Sequence, residues 1–260
     1  MTSEVLAIIQ ARMSSSRLPG KVLMEILGRP MLALQIERIQ RSVEIKRLVV
    51  ATSIGEEDNP IEILCGKIGV PCFRGSLDDV LDRFFHAAKA YQPKHVVRLT
   101  GDCPLADPEI IDRVIRLHLK HGYDYTSNIL PPTWPDGMDI EIFRFSCLEE
   151  AASSAKLPSE REHVTPFIQN RPRQYAQGNL ENEQDFSNHR LTVDEIVDFD
   201  KVRRIYKSLY PQKSDFNLKD ILRLIESDTE LASINAEVDC GTGVRESEIK
   251  DRKYLLKREI

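Results

Sequence analysis

The first half of the sequence alternates short apolar runs with segments of helical periodicity. Apolar runs rich in β-formers occur at Val5 to Gln10, in "KRLVVATS", in "VPCFRG" and at Val96 to Leu99. Between them, apolar residues recur three and four positions apart, as on one face of a helix. Strands that alternate with helices form βαβ units, in which each helix carries the chain back across the sheet. The pattern therefore predicts an α/β fold with a mainly parallel sheet.

Start and stop signals predict where the helices lie. Pro30 suits the first turn of one helix, and Ser76 suits the N-cap of another. Asp107 and Gly122 suit the two ends of a third helix, and a long loop follows it. The later predicted elements are a strand at Met138 to Phe143, helices at about Ser146 to Ala155, Ser159 to Asn170 and Phe199 to Leu209, and an extended segment at Arg190 to Val193.

Length and composition limit the class of protein. The chain has 260 residues, 41% of them hydrophobic, and can bury a full core. We expect one domain over residues 1–210, with a helical extension over residues 211–260 packed on it. No segment approaches the roughly 18 apolar residues of a membrane span, and no signal-peptide pattern is present, so we expect a cytoplasmic protein without membrane partners. The net charge of −5 disfavours nucleic-acid binding.

A loop of small and cationic residues follows the first predicted strand, in "AIIQARMSSSRLPGKVL". Such a loop lies at the carboxyl edge of a parallel sheet, where open α/β folds bind ligands. Small residues let backbone N–H groups approach an anion, and Arg12, Arg17 and Lys21 would donate to phosphate oxygens. The spacing matches neither a Walker A loop nor a dinucleotide fingerprint. Two interpretations stay open here: a polyphosphate cradle, and a solvated basic loop whose serines form turns.

Two aspartates, Asp102 and Asp194, each follow a short strand-like segment. Gly101 permits a tight turn before Asp102 in "RLTGDCPL", and Asp194 stands in "RLTVDEIVDFD". If both segments end at one crevice, the carboxylates converge on one Mg²⁺, which prefers hard oxygen donors. Separately, each would be an ordinary turn or N-cap aspartate, the commoner use of this residue. Convergence of the pair is therefore what distinguishes a metal site.

Cysteine and histidine are too scattered to indicate another metal centre. The five cysteines are an odd number without a C-x-x-C pair, which argues against a disulfide framework or a structural zinc site. His118 and His121 stand three residues apart on one predicted helix without an obvious third ligand. We interpret this histidine pair as part of a solvated helix face.

Several motifs, taken in order, resemble a known family. They are "IIQARMSSSRLPGKVL", "GRPMLALQIERIQRS", "LVVATS", "LTGDCPLADPEIID" and "LTVDEIVDFDKVRRIY". Together they resemble the sugar-acid cytidylyltransferases, which activate acylneuraminate and 3-deoxy-manno-octulosonate. "FRGSLDDVLDRF" and "EREHVTPFI" are typical of the SpsF-like branch of spore-coat and surface-polysaccharide biosynthesis. The resemblance covers roughly residues 4 to 210. At position 10, where the family usually has proline, this chain has Gln10.

The resemblance implies a fold and a nucleotide site. The fold is the three-layer nucleotide-diphospho-sugar transferase (glycosyltransferase-A-like) fold, with a mixed, mostly parallel sheet between helices. Arg12 and Lys21 would contact the triphosphate of CTP and act in catalysis with Asp102 and Asp194, which would hold Mg²⁺ as the cofactor. The residues implied in nucleotide binding are Ala11, Arg12, Met13, Ser14, Ser16, Arg17, Lys21 and Thr100.

The resemblance further implies a reaction. A hydroxyl of a sugar acid would attack the α-phosphorus of CTP, giving a CMP-sugar and pyrophosphate. Candidates for binding the acidic sugar are Asp139, Glu141, Arg161 and His163. Related enzymes often pair, so we expect a homodimer. Two other functions stay open: a glycosyltransferase that uses a nucleotide sugar on the same fold, and a catalytically idle nucleotide-binding regulatory subunit.

Overall fold

A mixed sheet forms the centre of the protein. In the computed structural model, which describes residues 5–238 and 242–256, the strands in chain order are β1 (Val5–Gln10), β2 (Glu25–Ile26), β3 (Arg29–Pro30), β4 (Arg47–Ser53), β5 (Cys72–Gly75), β6 (His95–Thr100), β7 (Tyr125–Ser127), β8 (Glu141–Arg144) and β9 (Gln177–Asn179). The sheet order within these residues is β5-β4-β1-β6-β8-β7-β9, and β2 pairs with β3 in a separate hairpin. Only β8 is antiparallel to its neighbours in the described sheet.

Helices cover both faces of this sheet. They are α1 (Met31–Ile39), α2 (Asn59–Ile68), α3 (Val80–Lys89), α4 (Pro108–His121), α5 (Phe145–Ser154), α6 (Pro158–His163), α7 (Pro166–Gln169), α8 (Ile196–Leu209), α9 (Leu218–Ser227), α10 (Thr229–Ser233) and α11 (Thr242–Leu256). Side chains of β1 alternate between the faces: Ala7 and Ile9 belong to one apolar core with α1, α4 and α8, and Leu6 and Ile8 to another with α3 and α5. These three layers confirm the expected α/β fold.

The central position of β1 determines where a ligand can bind. This strand pairs with β4 on one side and β6 on the other, both in parallel. The loops that follow β1 and β6 therefore emerge side by side at one sheet edge. Open α/β sheets bind ligands in the crevice between such loops.

Four local predictions need correction. Helix α3 begins at Val80 with Asp79 as its cap, while Ser76 accepts a hydrogen bond within the preceding turn. The helix expected over Ser159 to Asn170 is divided into α6 and α7, because Pro166 lacks the N–H that would continue the first helix. The expected strand at Met138 begins only at Glu141, because the Asn128 side chain binds the backbone at positions 138 and 140. Arg190 to Val193 makes one isolated bridge instead of a strand.

The residues after position 210 contact the preceding part of the chain. The N–H of Leu218 donates to Asp107 Oδ2 at 2.7 Å, and the Arg38 guanidinium lies 4.3 Å from the centre of the Phe216 ring. Helix α11 packs on α6, where Asp251 accepts from the N–H of Ser159 at 2.9 Å. In the described segments, every helix is too short or too polar to cross a bilayer.

Candidate active site

The loop after β1 is closed by its own backbone. The N–H of Gly20 donates to the Met13 carbonyl oxygen at 2.8 Å, and that of Ser15 donates to the same oxygen at 3.0 Å. Gly20 has φ of +74°, in the left-handed region that favours glycine. Residues 21–23 then form a 3-10 turn that buries Lys21. The turn conformation therefore brings the cationic end of the loop back toward the sheet.

Asp58 attaches this loop to β4. Its Oδ1 accepts from the N–H of Met13 at 2.7 Å, and its Oδ2 accepts from the N–H of Ser53 at 3.0 Å. The residue is fully buried. Burial opposes ionisation of Asp58, but hydrogen bonds from Ser53 and Met13 outweigh it and lower the pKa of the carboxyl group. Sequence reasoning missed this residue; the only signal was an acid in "GEEDNP" directly after a strand.

Lys21 brings Asp102 and Asp194 together. Its Nζ lies 2.6 Å from the carbonyl oxygen of Val193, 3.0 Å from Asp194 Oδ1 and 3.4 Å from Asp102 Oδ2. Arg17 adds a second cation at 2.9 Å from Asp194 Oδ1. Two carboxylates from distant parts of the chain therefore share one ammonium group beside the loop that follows β1.

Backbone contacts place Asp102 at this position. The N–H of Gly101 donates to the Gln10 carbonyl oxygen at 2.8 Å, and a Cβ on Gly101 would lie 3.0 Å from that oxygen. The N–H of Val193 donates to the Asp102 carbonyl oxygen at 2.8 Å. Burial opposes ionisation of Asp102, but the charge of Lys21 and a hydrogen bond from Thr100 outweigh it and lower the pKa of the carboxyl group. Asp102 is therefore an anion at neutral pH.

Arg190 contacts the carboxylate oxygen of Asp194 that Lys21 does not contact. Its guanidinium contacts Asp194 Oδ2 at 3.0 Å, Asp198 Oδ1 at 3.0 Å and Asp136 Oδ2 at 2.8 Å. Burial opposes the charge of Arg190, but its bonds to Asp198 and the nearby carboxylates raise its pKa. Asp198 also accepts from the N–H groups of Asp194 and Glu195 at the start of α8. Nothing in the sequence pattern indicated that Asp198 pairs with Arg190.

A cavity of about 290 Å³ opens over these residues. Its lining includes nine of the predicted site residues: Ala11, Arg12, Ser16, Arg17, Lys21, Thr100, Asp102, His163 and Asp194. Ser15 and Gln10 line it as well. The lining does not include five other predicted residues: Met13, Ser14, Asp139, Glu141 and Arg161. The structure thus groups the loop cations with the two aspartates and with one of the four acceptor candidates.

The other acceptor candidates do not line the cavity themselves. Arg161 donates through Nε to Asp79 Oδ2 at 2.9 Å, at the cap of α3. Glu141 is buried and pairs with Arg98. Burial and then the charge of Asp136 raise the pKa of Asp139 to about 7. Direct contact of these three residues with an acceptor stays a prediction.

Two arginines of the lining, Arg83 and Arg98, were not among the predicted site residues. Arg83 is only 2% exposed and donates from Nη1 to the Ser76 carbonyl oxygen at 2.6 Å. Its Nε is buried and has no hydrogen-bond partner among the described residues. Burial and then the charge of Arg12 lower the pKa of Arg83 to about 10, so it is still a cation at neutral pH. An unpaired buried donor at a cavity indicates a ligand that accepts hydrogen bonds.

The donor set fits a magnesium ion that is shared with phosphates. In residues 5–238 and 242–256, no group of three or more His, Cys, Asp or Glu side chains could hold a metal alone. Mg²⁺ does not need such a cage, since it binds one or two carboxylates, substrate phosphates and water. Asp102 and Asp194 supply two hard oxygen donors, and both carboxylates already interact with a cation, the Lys21 ammonium group. The pair therefore suits a divalent cation that arrives with a polyphosphate.

Comparison with known proteins identifies the family. The sequence profile of the cytidylyltransferases matches residues 6–234. The spore coat polysaccharide biosynthesis protein SpsF of Bacillus subtilis is 34% identical, with 89% of this chain and 98% of that protein covered. A 3-deoxy-manno-octulosonate cytidylyltransferase of Anaeromyxobacter dehalogenans is 36% identical over 43% of this chain and 46% of its own length.

A solved structure agrees with these matches. The cytidylyltransferase of Leptospira borgpetersenii superposes with a TM-score of 0.84 at 35% identity, covering 88% of this chain and 96% of that one. The profile and these relatives confirm the resemblance drawn from the motifs, and with it a CTP-dependent nucleotidyltransferase. The chain belongs to the cytidylyltransferase family.

Proposed function

We propose that this protein transfers CMP from CTP to a hydroxyl of a sugar acid and releases pyrophosphate, for surface-polysaccharide biosynthesis. The observation that supports it is the meeting of the loop cations with Asp102 and Asp194 around Lys21. Nucleotidyl transfer needs the attacking oxygen and the leaving pyrophosphate in line, and it needs positive charge on the leaving group. This site offers both a positioning loop and several cations.

The chain's own residues would divide the work by position. The loop backbone with Arg12 and Arg17 would bind the non-bridging oxygens of the triphosphate, and Lys21 would stabilise charge that develops on the leaving group. Asp102 and Asp194 would hold Mg²⁺, which when bound neutralises phosphate charge and orients the phosphates. Arg190 and Asp58 would keep Asp194 and the loop in place. No covalent intermediate on the protein is needed.

The nucleotide base would lie toward α3. Arg83 of α3 lines the cavity, and its Nε, which has no partner among the described residues, would donate to an acceptor on the nucleotide. CTP as the nucleotide follows from the family. A direct competition assay would compare CTP with UTP, ATP and GTP, with CTP expected to dominate.

The acceptor would be an acid, as in the 3-deoxy-manno-octulosonate relatives. His163 lines the cavity on α6, and burial and then the charge of Arg98 lower its pKa, so the ring is neutral at neutral pH. Its Nε2 pairs with Ser247 Oγ at 2.6 Å, so Nδ1 would be the ring atom that contacts a sugar hydroxyl. We also propose the homodimer, the cytoplasmic location and the division at residue 210 as properties for separate tests.

Pyrophosphate release is the direct test of this function. The protein would be incubated with CTP, Mg²⁺ and a panel of nonulosonic and ulosonic acids. We expect release of pyrophosphate that depends on one acid, together with a CMP-sugar seen by mass spectrometry. Silence with every acid and every nucleotide would contradict the proposal. Release of a nucleoside phosphate from a nucleotide sugar would instead favour a glycosyltransferase.

A further inference from the structure

Positive charge exceeds negative charge among the side chains that line the cavity. Each carboxylate of the described lining has a cationic partner: Lys21 contacts Asp102 and Asp194, and Lys250 contacts Glu162 at 2.7 Å. The cations are more numerous, because Arg12, Arg83 and Arg98 line the same cavity, and of these three Arg98 also pairs with Glu141. The surplus of positive charge in the lining therefore favours an anionic ligand.

Arg98 is held in one orientation by residues around the cavity. Its Nε donates to Gln10 Oε1 at 3.2 Å, and its Nη1 donates to Glu141 Oε2. Glu141 is buried, and its other oxygen accepts from the Tyr125 hydroxyl at 2.7 Å and from Gln169 at 2.9 Å. This network fixes the plane of the guanidinium. Nη2 of Arg98 has no hydrogen-bond partner in the described part of the chain, so the group retains donors for a ligand.

The position of Arg98 separates it from the phosphate loop. It lies on β6 two residues before Thr100 and faces the same side of the sheet as Gln10 of β1. Two residues along a strand span about 6.6 Å, so Arg98 lies farther from the sheet edge than the loop that would bind the triphosphate. His163 and Arg83, from the two helices above this face, complete the surroundings. A triphosphate held at the edge would leave this inner position to a second anionic group.

We infer that Arg98, oriented by Gln10 and Glu141, binds the carboxylate of the acceptor sugar acid. This inference rests on the proposed function and gives it a receptor for the acid. A planar guanidinium with free donors matches a carboxylate better than a lysine would, because its N–H groups diverge in a fixed plane. Glu141 is then a positioning residue that acts through Arg98, which accounts for its burial beneath the cavity.

A binding experiment tests this assignment without depending on turnover. The probes are N-acetylneuraminate, 3-deoxy-manno-octulosonate and their methyl esters, which lack the negative charge. Binding to the full-length protein is measured by calorimetry in the presence of CDP and Mg²⁺, so that no transfer consumes the probe. We expect one acid to bind at least about tenfold more tightly than its ester, since a hydrogen bond to a charged group is lost in the ester.

The decisive variant is the double substitution R98Q/E141Q, which avoids leaving a buried carboxylate unpaired. We expect it to bind acid and ester equally within about twofold, with CTP affinity and thermal unfolding close to those of the original protein. R116Q/E44Q is the matched control, because it removes another arginine–glutamate pair that lies on the exposed surface. This control should retain the preference for the acid.

Three results would overturn the assignment: no preference for either acid in the original protein, a preference that persists in R98Q/E141Q, or a loss of CTP affinity in that variant. An acid preference that depends on Arg98 without any pyrophosphate release would contradict the proposed function while supporting the receptor. Pyrophosphate release with an unchanged acid preference in R98Q/E141Q would support the proposed function and contradict the assignment of Arg98 as the receptor.

Discussion

Lys21 Nζ lies 3.0 Å from Asp194 Oδ1, across 173 positions of the sequence. The same nitrogen lies 3.4 Å from Asp102 Oδ2, which comes from the end of β6. The ammonium group therefore joins the loop after β1 to two acids from separate parts of the fold. We propose that nucleotidyl transfer at this site depends on that arrangement.

Loss of either acid should remove most of the activity. In D102N or D194N, the neutral amide no longer balances a divalent cation, and we expect kcat/KM for CTP to fall by at least about 100-fold. Pyrophosphate release measures this loss. D185N changes an exposed aspartate that contacts Ser187, so it should leave the rate unchanged. Nearly full activity in both D102N and D194N would disprove a shared metal site.

Asp58 should affect both stability and nucleotide binding. D58A leaves the N–H groups of Ser53 and Met13 without their acceptor, and we expect a loss of about 1–3 kcal/mol in the free energy of unfolding. The loop would also lose its attachment to β4, which should raise KM for CTP several-fold. Urea unfolding and steady-state kinetics give the two values. E57A is the control, since this neighbouring acid is exposed; an effect of equal size there would rule out a specific role for Asp58.

Arg190 should be a large contributor to stability. R190M would leave Asp198, which is fully buried, without its cation, and we expect a cost of about 3–5 kcal/mol in urea unfolding. In R203M, loss of the exposed pair with Asp200 should cost below about 1 kcal/mol. Equal effects of the two substitutions would show that the buried pairing does not stabilise the fold.

The sheet was predictable because its signals are local. The strands β1, β4 and β6 are apolar runs, and α4 has both of its end signals, so each element can be recognised without its neighbours. The strand β9 was missed because Gln177, Gly178 and Asn179 are poor β-formers that pair with β7 only in the finished fold. Tertiary pairing, not propensity, forms that strand.

The candidate site was predictable only where residues occur in a recognisable motif. Lys21, Asp102 and Asp194 stand in motifs, and the structure brings them together, while their catalytic roles stay predictions. Asp58 and Arg98 act through partners 45 and 43 positions away, and no periodicity reports such contacts.

The histidine interpretation was wrong for His118. It is fully buried, with Nδ1 at 3.0 Å from Thr126 Oγ1 and Nε2 at 2.9 Å from His95 Nδ1. His121 is exposed, as expected. The error arose because His118 lies on the inner face of α4, where its two ring nitrogens are satisfied by partners that the helix pattern does not show.

His118 should make stability depend on pH. Burial and then the neighbouring His95 lower the pKa of His118 to about 3, against 6.5 for an unperturbed ring. His118 is therefore protonated below about pH 6.5 in the unfolded chain but only below about pH 3 in the folded chain. The stabilisation is complete above pH 6.5 and decreases by up to about 1.4 kcal/mol per pH unit as the pH falls.

Urea unfolding between pH 7 and pH 4 checks this dependence by difference. The free energy of unfolding should change less steeply with pH in H118Q than in the original protein, because the substituted side chain does not titrate. H121Q, at an exposed position of the same helix, should keep the original slope. Identical slopes in H118Q and the original protein would mean that His118 titrates normally in the folded state.

The most direct measurement is the affinity of the protein for Mn²⁺·CTP, followed by electron paramagnetic resonance of the ion. We expect D102N and D194N each to weaken this affinity by about tenfold or more, because on our proposal both carboxylates hold the same metal-bound triphosphate. Unchanged affinity in both variants would contradict a site in which the loop cations and the two aspartates share one nucleotide.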